Sequence, residues 1–408
     1  MKKHRIDGGT MQDYGAAIRK NRFHDFTIEC RVRGSEAVVR QLQHKFLFSS
    51  NIFGLASMEG ERLSAYRSRI LECWNAGTLP FYWGRYEGVE GQPDPEGRVM
   101  RAAKWAKLNG FSLKGHPLCW HTVCADWLME YDDETILGKQ LDRIRRDVSL
   151  YRGIIDTWDV VNEAVIMPVF NKYDNAVTRI AKRYGTKELV LKCFKAAREA
   201  NPDATLLIND FDLSEDYANV IAELLDRGCP IDAIGLQTHM HEGYRGTEAV
   251  DAYLERFARF NLPLHFTEVT ILSGRIAPKV DDLNDLHIDP WPSTGEGEER
   301  QRREAEEFYS QVYAHPLTAA VVWWDMDDGN WLGAPGGLLR RDLSPKPAFA
   351  RLRELIKGEW WFGERRFALA EGRAISLRAP EGDYEAVIDG VPYQFTLDKK
   401  APRVVVAS

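Results

Sequence analysis

Cysteine is scarce in this sequence and never closely paired. Six residues, Cys30, Cys73, Cys119, Cys124, Cys193 and Cys229, are scattered over 408 positions. None forms a C-x-x-C pair, which argues against a zinc knuckle or a dithiol redox motif. Long apolar runs are also missing, so no transmembrane span is expected. The opening MKKHRIDGGTMQDYG carries two lysines with no apolar stretch behind them, so no signal peptide is expected. These features together predict a reduced, cytoplasmic protein. Positive charge is not in excess either. The chain has 54 Lys and Arg against 61 Asp and Glu, a net charge of −7, which argues against a nucleic-acid-binding surface. No internal repeat or low-complexity tract interrupts the sequence.

What is present is apolar and aromatic. Hydrophobic residues make up 44% and aromatic residues 11%, enough for one large α/β domain or two smaller ones. Twelve tryptophans suit a large core, with some free to line a site for sugar or aromatic rings. Short apolar runs alternate with longer amphipathic ones. The runs are KFLFSSNIF (45–53), TLPFYW (78–83), SLKGHPLCW (112–120), DTWDVVNE (156–163), TLLIND (205–210), AIGLQTH (233–239), PLHFTEV (263–269) and AVVWWDM (320–326). Helical patterns follow them, such as PEGRVMRAAKWAKLNG, DETILGKQLDRIRRDVSLY and SEDYANVIAELLDRG, the last ending on a glycine. Eight strands alternating with helices predict parallel pairing and closure into a (β/α)8 barrel over residues 41–358. An open doubly wound sheet is the alternative, but no G-x-G-x-x-G follows the first strand.

Residues 1–40 contain DFTIECRVRGSEAVVRQLQ, expected as a strand pair packed on the base of the barrel. Residues 359–408 are β-patterned and rich in turns. About fifty residues is marginal for an independent sugar-binding domain, so a sheet docked on the barrel is expected. Residues 272–298, rich in Pro, Gly and Asp, form a long loop after the seventh strand, beside the active face, and loops this long are usually functional or mobile.

Active sites of such barrels form at the C-terminal ends of the strands. There the third strand carries His116, Trp120 and His121, the fourth Asn162 and Glu163, the sixth Gln237 and His239, the seventh Glu268, and the eighth Trp323 with Trp331 beyond it. A buried strand gains nothing by ending in a carboxylate unless that group has a partner or a task. Two glutamates facing each other across a barrel mouth suit glycoside hydrolysis. One carboxylic acid protonates the leaving oxygen, and a second carboxylate attacks the anomeric carbon or activates water. Aromatic walls, amides and imidazoles suit sugar rings and their hydroxyls. No metal or other cofactor is needed.

The stretches GHPLCWH, WDVVNEA, GLQTHMH, HFTEV, WWDMDDGNWL and LLRRDLSPKPAF, in this order, resemble glycoside hydrolase family 10, the family of endo-β-1,4-xylanases. The resemblance covers residues from about 45 to 350. It implies that Glu163 is the general acid/base and Glu268 the nucleophile of a retaining, two-step reaction, with a β-linked oligosaccharide or polysaccharide as partner. It further implies that Asn162, Gln237, His239 and His116 hold the sugar whose bond is cut, and that Trp120, Trp323 and Trp331 wall the site.

The departures from the family pattern concern specificity. Where members carry E-N-x-M-K-W on the second strand, this chain has TLPFYW, so Leu79 and Pro80 replace Glu–Asn and Tyr82 replaces Lys. Each lost hydrogen bond on the glycone side removes about 0.5–1.5 kcal/mol. Val123 stands in place of a Gln, and Thr270 in place of an Asp that orients the neighbouring His. Retained carboxylates with altered glycone contacts predict an enzyme acting on a different sugar or on short oligosaccharides. Tyr82 is read equally as a sugar platform or as a space-filling replacement. The rival reading is a sugar-binding barrel whose catalysis has decayed. His239-Met240-His241 is similar to the metal-binding H-x-H pair of barrel amidohydrolases, but that pair belongs on the first strand. His265 is read as a core histidine, Asp159 as a structural hydrogen-bonding group, and Asp325, Asp327 and Asp328 as loop or turn residues.

Overall fold

All eight apolar runs become strands of one closed parallel barrel in the computed structural model, which describes residues 3–6, 9–12, 14–32, 34–369 and 374–407. The strands are β1 (Leu47–Asn51), β2 (Ala76–Pro80), β3 (Ser112–His116), β4 (Thr157–Asn162), β5 (Thr205–Asp210), β6 (Ala233–Met240), β7 (Leu264–Ile271) and β8 (Thr318–Trp323). Each pairs with the next, and β8 returns to β1 through Ala320–Leu47 and Trp323–Ser50. Helices cover the outer faces, so the strands are buried on both sides and read as near-continuous apolar runs.

Local signals set the helix ends. Asp132 caps Asp133–Leu150 by accepting from Thr135 N–H at 2.8 Å. Ser214 and Thr294 cap Glu215–Asp226 and Gly295–Ala314 in the same way, satisfying donors that no carbonyl inside the helix can reach. Glu215–Asp226 stops where Gly228 takes a φ of 71°, a conformation that suits glycine. Close approach fixes Gly115 and Gly235 on the barrel strands. A Cβ on Gly115 would enter the Trp158 ring, and one on Gly235 would strike Asn209.

The two ends of the chain fold together, which differs from the expected strand pair. Strands 23–30 and 36–44 do not pair with each other. Phe23–Cys30 lies between 374–380 and 403–406, and Glu36–His44 lies between 364–368 and 382–388, with 391–397 at that sheet's edge. The two sheets enclose their own apolar core, including Phe26, Ile28, Val39, Ile375, Tyr384 and Leu397. The N-terminal segment thus supplies an inner strand to each sheet, and the C-terminal segment supplies the flanking strands. Residues 1, 2, 7, 8, 13 and 33 of the N-terminal segment lie outside the described residues.

This sandwich sits at the N-terminal end of the barrel, away from its mouth. His44 leads into β1, and Lys45 pairs with Glu381 at 3.0 Å and Asp398 at 2.8 Å. Arg22 donates to the carbonyls of Tyr313, His315 and Thr318 where β8 begins. All six cysteines are unpaired, and all but Cys124 are buried. Among the described residues no helix is long and apolar enough to cross a membrane.

Candidate active site

Asn162 ends β4, and Glu163 follows it with a φ of 58°. A non-glycine residue in this left-handed region stores about 1–3 kcal/mol of strain. The turn is held from β5. Glu163 N–H donates to the Asn209 carbonyl at 2.7 Å, and Val165 N–H donates to the Asp210 carboxylate at 3.1 Å. The Glu163 carboxylate meets side chains of three elements. Trp120 Nε1 donates to Oε2 at 2.7 Å, Asn162 Nδ2 to Oε1 at 3.0 Å, and Gln237 Nε2 to Oε1 at 3.4 Å. His121 Nε2 lies 3.9 Å from Oε2. Burial pushes the Glu163 carboxyl up to about 8. Trp120 and Gln237 oppose that rise, and the negative charges of Asp210 and Glu268 add to it.

Glu268 lies on β7 in a different field. Asn209 Nδ2 donates to its Oε1 at 2.8 Å. His239 Nε2 is 3.1 Å from Oε2, and His116 Nε2 is 4.0 Å from Oε1. Burial alone would raise its pKa, but His116, His239 and Lys114 together hold it below the ordinary glutamate value. Lys114 and His116 are themselves anchored on buried Asp159, at 2.6 and 2.8 Å. Asp159 therefore ties β4 to β3 beneath the site. His239 Nδ1 meets Thr270 Oγ1 at 2.9 Å, so a hydroxyl stands behind this imidazole where the family pattern has a carboxylate. That hydroxyl donates to a bare ring nitrogen or accepts from a protonated one.

The two glutamates are joined by one amide network. Asn209 Nδ2 donates to both Asn162 Oδ1, at 2.7 Å, and Glu268. Gln237 Nε2 donates to Asn162 Oδ1 at 3.0 Å and to Glu163. Thr267 Oγ1 fixes Asn209 from β7 at 2.6 Å. Asn209 and Asp210 were not singled out in the sequence, although TLLIND ends in polar residues just as WDVVNE does. Asp210 is fully buried and its carboxyl is pushed up to about 7 by burial.

Rings enclose this network. Tyr82 lies edge-on to His116 with centroids 5.6 Å apart and is tilted 5.6 Å from Trp120. Trp331 lies 4.5 Å from His239 and 5.0 Å from His241. Trp323 does not wall the site. It is fully buried, donates to the Gly336 carbonyl and packs on Tyr309 of the outer helix. The neighbouring Trp324 faces inward, 5.3 Å from His116, 5.5 Å from Phe53 and 6.0 Å from His239. His239 and His241 share the Trp331 ring but differ in their other partners. His239 engages Glu268, while His241 is buried against Trp331 and Trp291. Among the described residues no three His, Cys, Asp or Glu gather with metal-holding geometry. His265 is buried at the start of β7. The loop aspartates have structural partners: Asp325 with Asn51, Asp327 with Arg62, and Asp328 with buried Lys346.

The family model for glycosyl hydrolase family 10 matches residues 97–355. The match begins after β2, the strand that bears Leu79 and Pro80. Endo-1,4-beta-xylanase B of Thermotoga neapolitana is 30% identical over 273 residues, spanning 62% of this chain and 72% of its own length. Beta-1,4-xylanase of Dictyoglomus thermophilum is 29% identical over 241 residues, spanning 56% and 64%. Endo-1,4-beta-xylanase of Geobacillus stearothermophilus is 28% identical over 322 residues, spanning 73% and 93%. Among solved structures, a GH10 protein from Paenibacillus barcinonensis superposes with a TM-score of 0.64 at 23% identity, covering 76% of this chain and 95% of its own. Xylanase 10B from Thermotoga petrophila, in complex with xylobiose, gives 0.62 at 22% identity, covering 77% and 95%. These superpositions establish the shared barrel.

Proposed function

This chain belongs to glycosyl hydrolase family 10, and from that premise we propose that it cleaves β-1,4-linked, xylan-type glycosides by double displacement. Glu163 is assigned as acid/base and Glu268 as nucleophile. The observation that carries this reading is the opposed setting of two glutamates within one amide network: Glu163 is pushed up to about 8 and Glu268 is held below its ordinary value. Two carboxyls whose environments drive them apart are what acid and nucleophile roles require.

In the first step Glu268 attacks the anomeric carbon while Glu163 gives its proton to the leaving oxygen. The glycosidic bond breaks as the enzyme–sugar ester forms. Glu268 is then neutral, so one charge that raised the Glu163 pKa is gone. Glu163, now a carboxylate, takes a proton from water, whose oxygen attacks the anomeric carbon as the bond from that carbon to Glu268 breaks, releasing the Glu268 carboxylate. Trp120 and Gln237 donate to Glu163 and thereby favour its charged form after the first transfer. His239 and Asn209 hold the Glu268 carboxylate before it.

The glycone side supports action on short oligosaccharides. Leu79 is fully buried and Tyr82 packs between His116, Trp120 and Phe53, so this wall offers rings in place of the amide and charges of the family pattern. The unpaired cysteines support a reducing compartment, where such substrates rather than polymeric xylan are found. The test is hydrolysis of aryl β-xyloside, β-xylobioside and β-glucoside by wild type and Glu268→Ala. We expect release of phenol by wild type and a loss of at least about three orders of magnitude in the variant. Equal inertness of both on every glycoside would contradict the reading.

A further inference from the structure

The long loop after β7 is built in two parts with different anchorage. Its base is bound into the barrel. Ala277 N–H donates to the His241 carbonyl at 2.9 Å, Val280 N–H to Glu242 at 2.7 Å, and Arg300 to the Gly274 carbonyl at 2.6 Å. Leu272, Ala277, Leu286, Trp291 and Ala334 give it a small apolar core of its own. Its tip, Asp282 with the short turn Leu283–Asp285, is held from two sides. On the nucleophile side, Trp331 Nε1 donates to Asn284 Oδ1 at 3.3 Å, and the Trp331 ring packs at a tilt against His239, the partner of Glu268, with centroids 4.5 Å apart. On the acid side, Lys172 pairs with Asp282 at 2.8 Å and Asp285 at 2.6 Å. Lys172 lies on the loop that begins at Glu163, and the charge of Asp282 also reaches His121, whose Nε2 is 3.9 Å from the Glu163 carboxylate.

β4 and β7 are not neighbours, since β5 and β6 stand between them. A segment touching the loops of both therefore spans the mouth. We propose that residues 282–285 form a strap over the leaving-group side of the cleft, latched by Lys172, and that this strap restricts the enzyme to short β-linked oligosaccharides. The inference rests on the glycosidase reading above. The leaving group lies against the group that protonates it, and Glu163, His121 and Lys172 mark the wall where the strap lands. An open cleft lets a chain run past this point, whereas a latched strap leaves room for a leaving group of one or two units. The latch is exposed, with 38% of the Lys172 side chain and 62% of the Asp285 side chain accessible, so the tip releases more easily than the base.

The test compares kcat/KM on an aryl β-xyloside with that on xylobiose through xylohexaose, for wild type, Lys172→Glu, and Lys172→Glu with Asp285→Lys. Wild type should gain nothing beyond the di- or trisaccharide. Lys172→Glu sets like charges against the strap and should raise kcat/KM on xylohexaose about fivefold, the upper range for an exposed pair, with the aryl xyloside changed less than about twofold. The charge-swapped double variant restores the pair at 285 while Asp282 still faces a like charge, so it should return part of the way to the wild-type profile. An enzyme active on the aryl xyloside whose kcat/KM rises steadily to xylohexaose, with Lys172→Glu unchanged, would overturn the strap and leave the glycosidase reading intact. Inertness on the aryl xyloside as well would overturn both.

Discussion

At the scale of single residues, Glu163 combines two costs: a left-handed backbone and a carboxyl whose ionisation burial opposes. Its folded-state pKa of about 8 lies above that of an exposed glutamate. The site therefore favours the protonated folded state, and this contribution is fully present below the ordinary glutamate range. It is lost as pH rises through about 8, where a charge must be carried in the buried network. Glu163→Gln keeps the shape and cannot ionise, so it should melt a few degrees higher than wild type at pH 9 and show little difference at pH 5. Paired thermal melts at the two pH values check this. The same group sets the alkaline limb of activity, because the first step needs its proton.

Asn209 is the residue that sequence reasoning should have caught. It stands one residue before the end of β5, paired across from Asn162 at the end of β4, but β5 carries no glutamate to draw attention to it. Its amide binds Asn162 and Glu268 together. Asn209→Ala should lower kcat/KM by about ten- to a hundredfold, the range for losing donors to a charged group, measured on an aryl glycoside with an unchanged circular dichroism spectrum. Trp323 shows the opposite failure. Two adjacent tryptophans were legible, but which one faces the mouth depends on strand parity, and register shifts between β7 and β8 disturb the alternation.

At the scale of elements, the strands were readable because they are buried on both faces. Apolar runs bounded by polar residues left little doubt about all eight, and TLLIND coincides with β5 residue for residue. One helix end was readable from Gly228, while the caps Asp132, Ser214 and Thr294 emerged only from the structure. Gly235 could not be read in this way. Its reason lies across the sheet, where a side chain would strike Asn209. Gly235→Ala should displace that amide and weaken activity while changing the melting temperature less than a typical core substitution. Steady-state kinetics beside a melt separates the two effects. The loop after β7 was recognisable in the sequence by its length and its Pro, Gly and Asp content. Its bridging contacts were not, because Lys172 and Asp285 are more than a hundred positions apart in sequence.

At the scale of the whole molecule, the surprise is the sandwich made from both ends of the chain. Each strand alone carried an alternating pattern, but their partners lie more than three hundred residues away, and no local signal encodes such pairing. The consequence is that the C-terminal residues cannot be removed as an appendage. Ending the chain at Gly358 would strip strands 23–30 and 36–44 of every partner they have in the two sheets and expose the apolar core around Ile28 and Val39. Unpaired strand edges of this kind drive association. The truncated chain should be recovered as aggregate, and size-exclusion chromatography of the soluble fraction checks it.

Double displacement requires that Glu268 be the glutamate that bonds to sugar, and the most direct measurement is covalent trapping with a 2-fluoro aryl β-xyloside followed by peptide mass mapping. We predict one fluorosugar per chain, on the peptide and side chain of Glu268, with release accelerated by an added sugar acceptor. A label on any other residue, or turnover of the aryl xyloside with inverted anomeric configuration and no label, would contradict it.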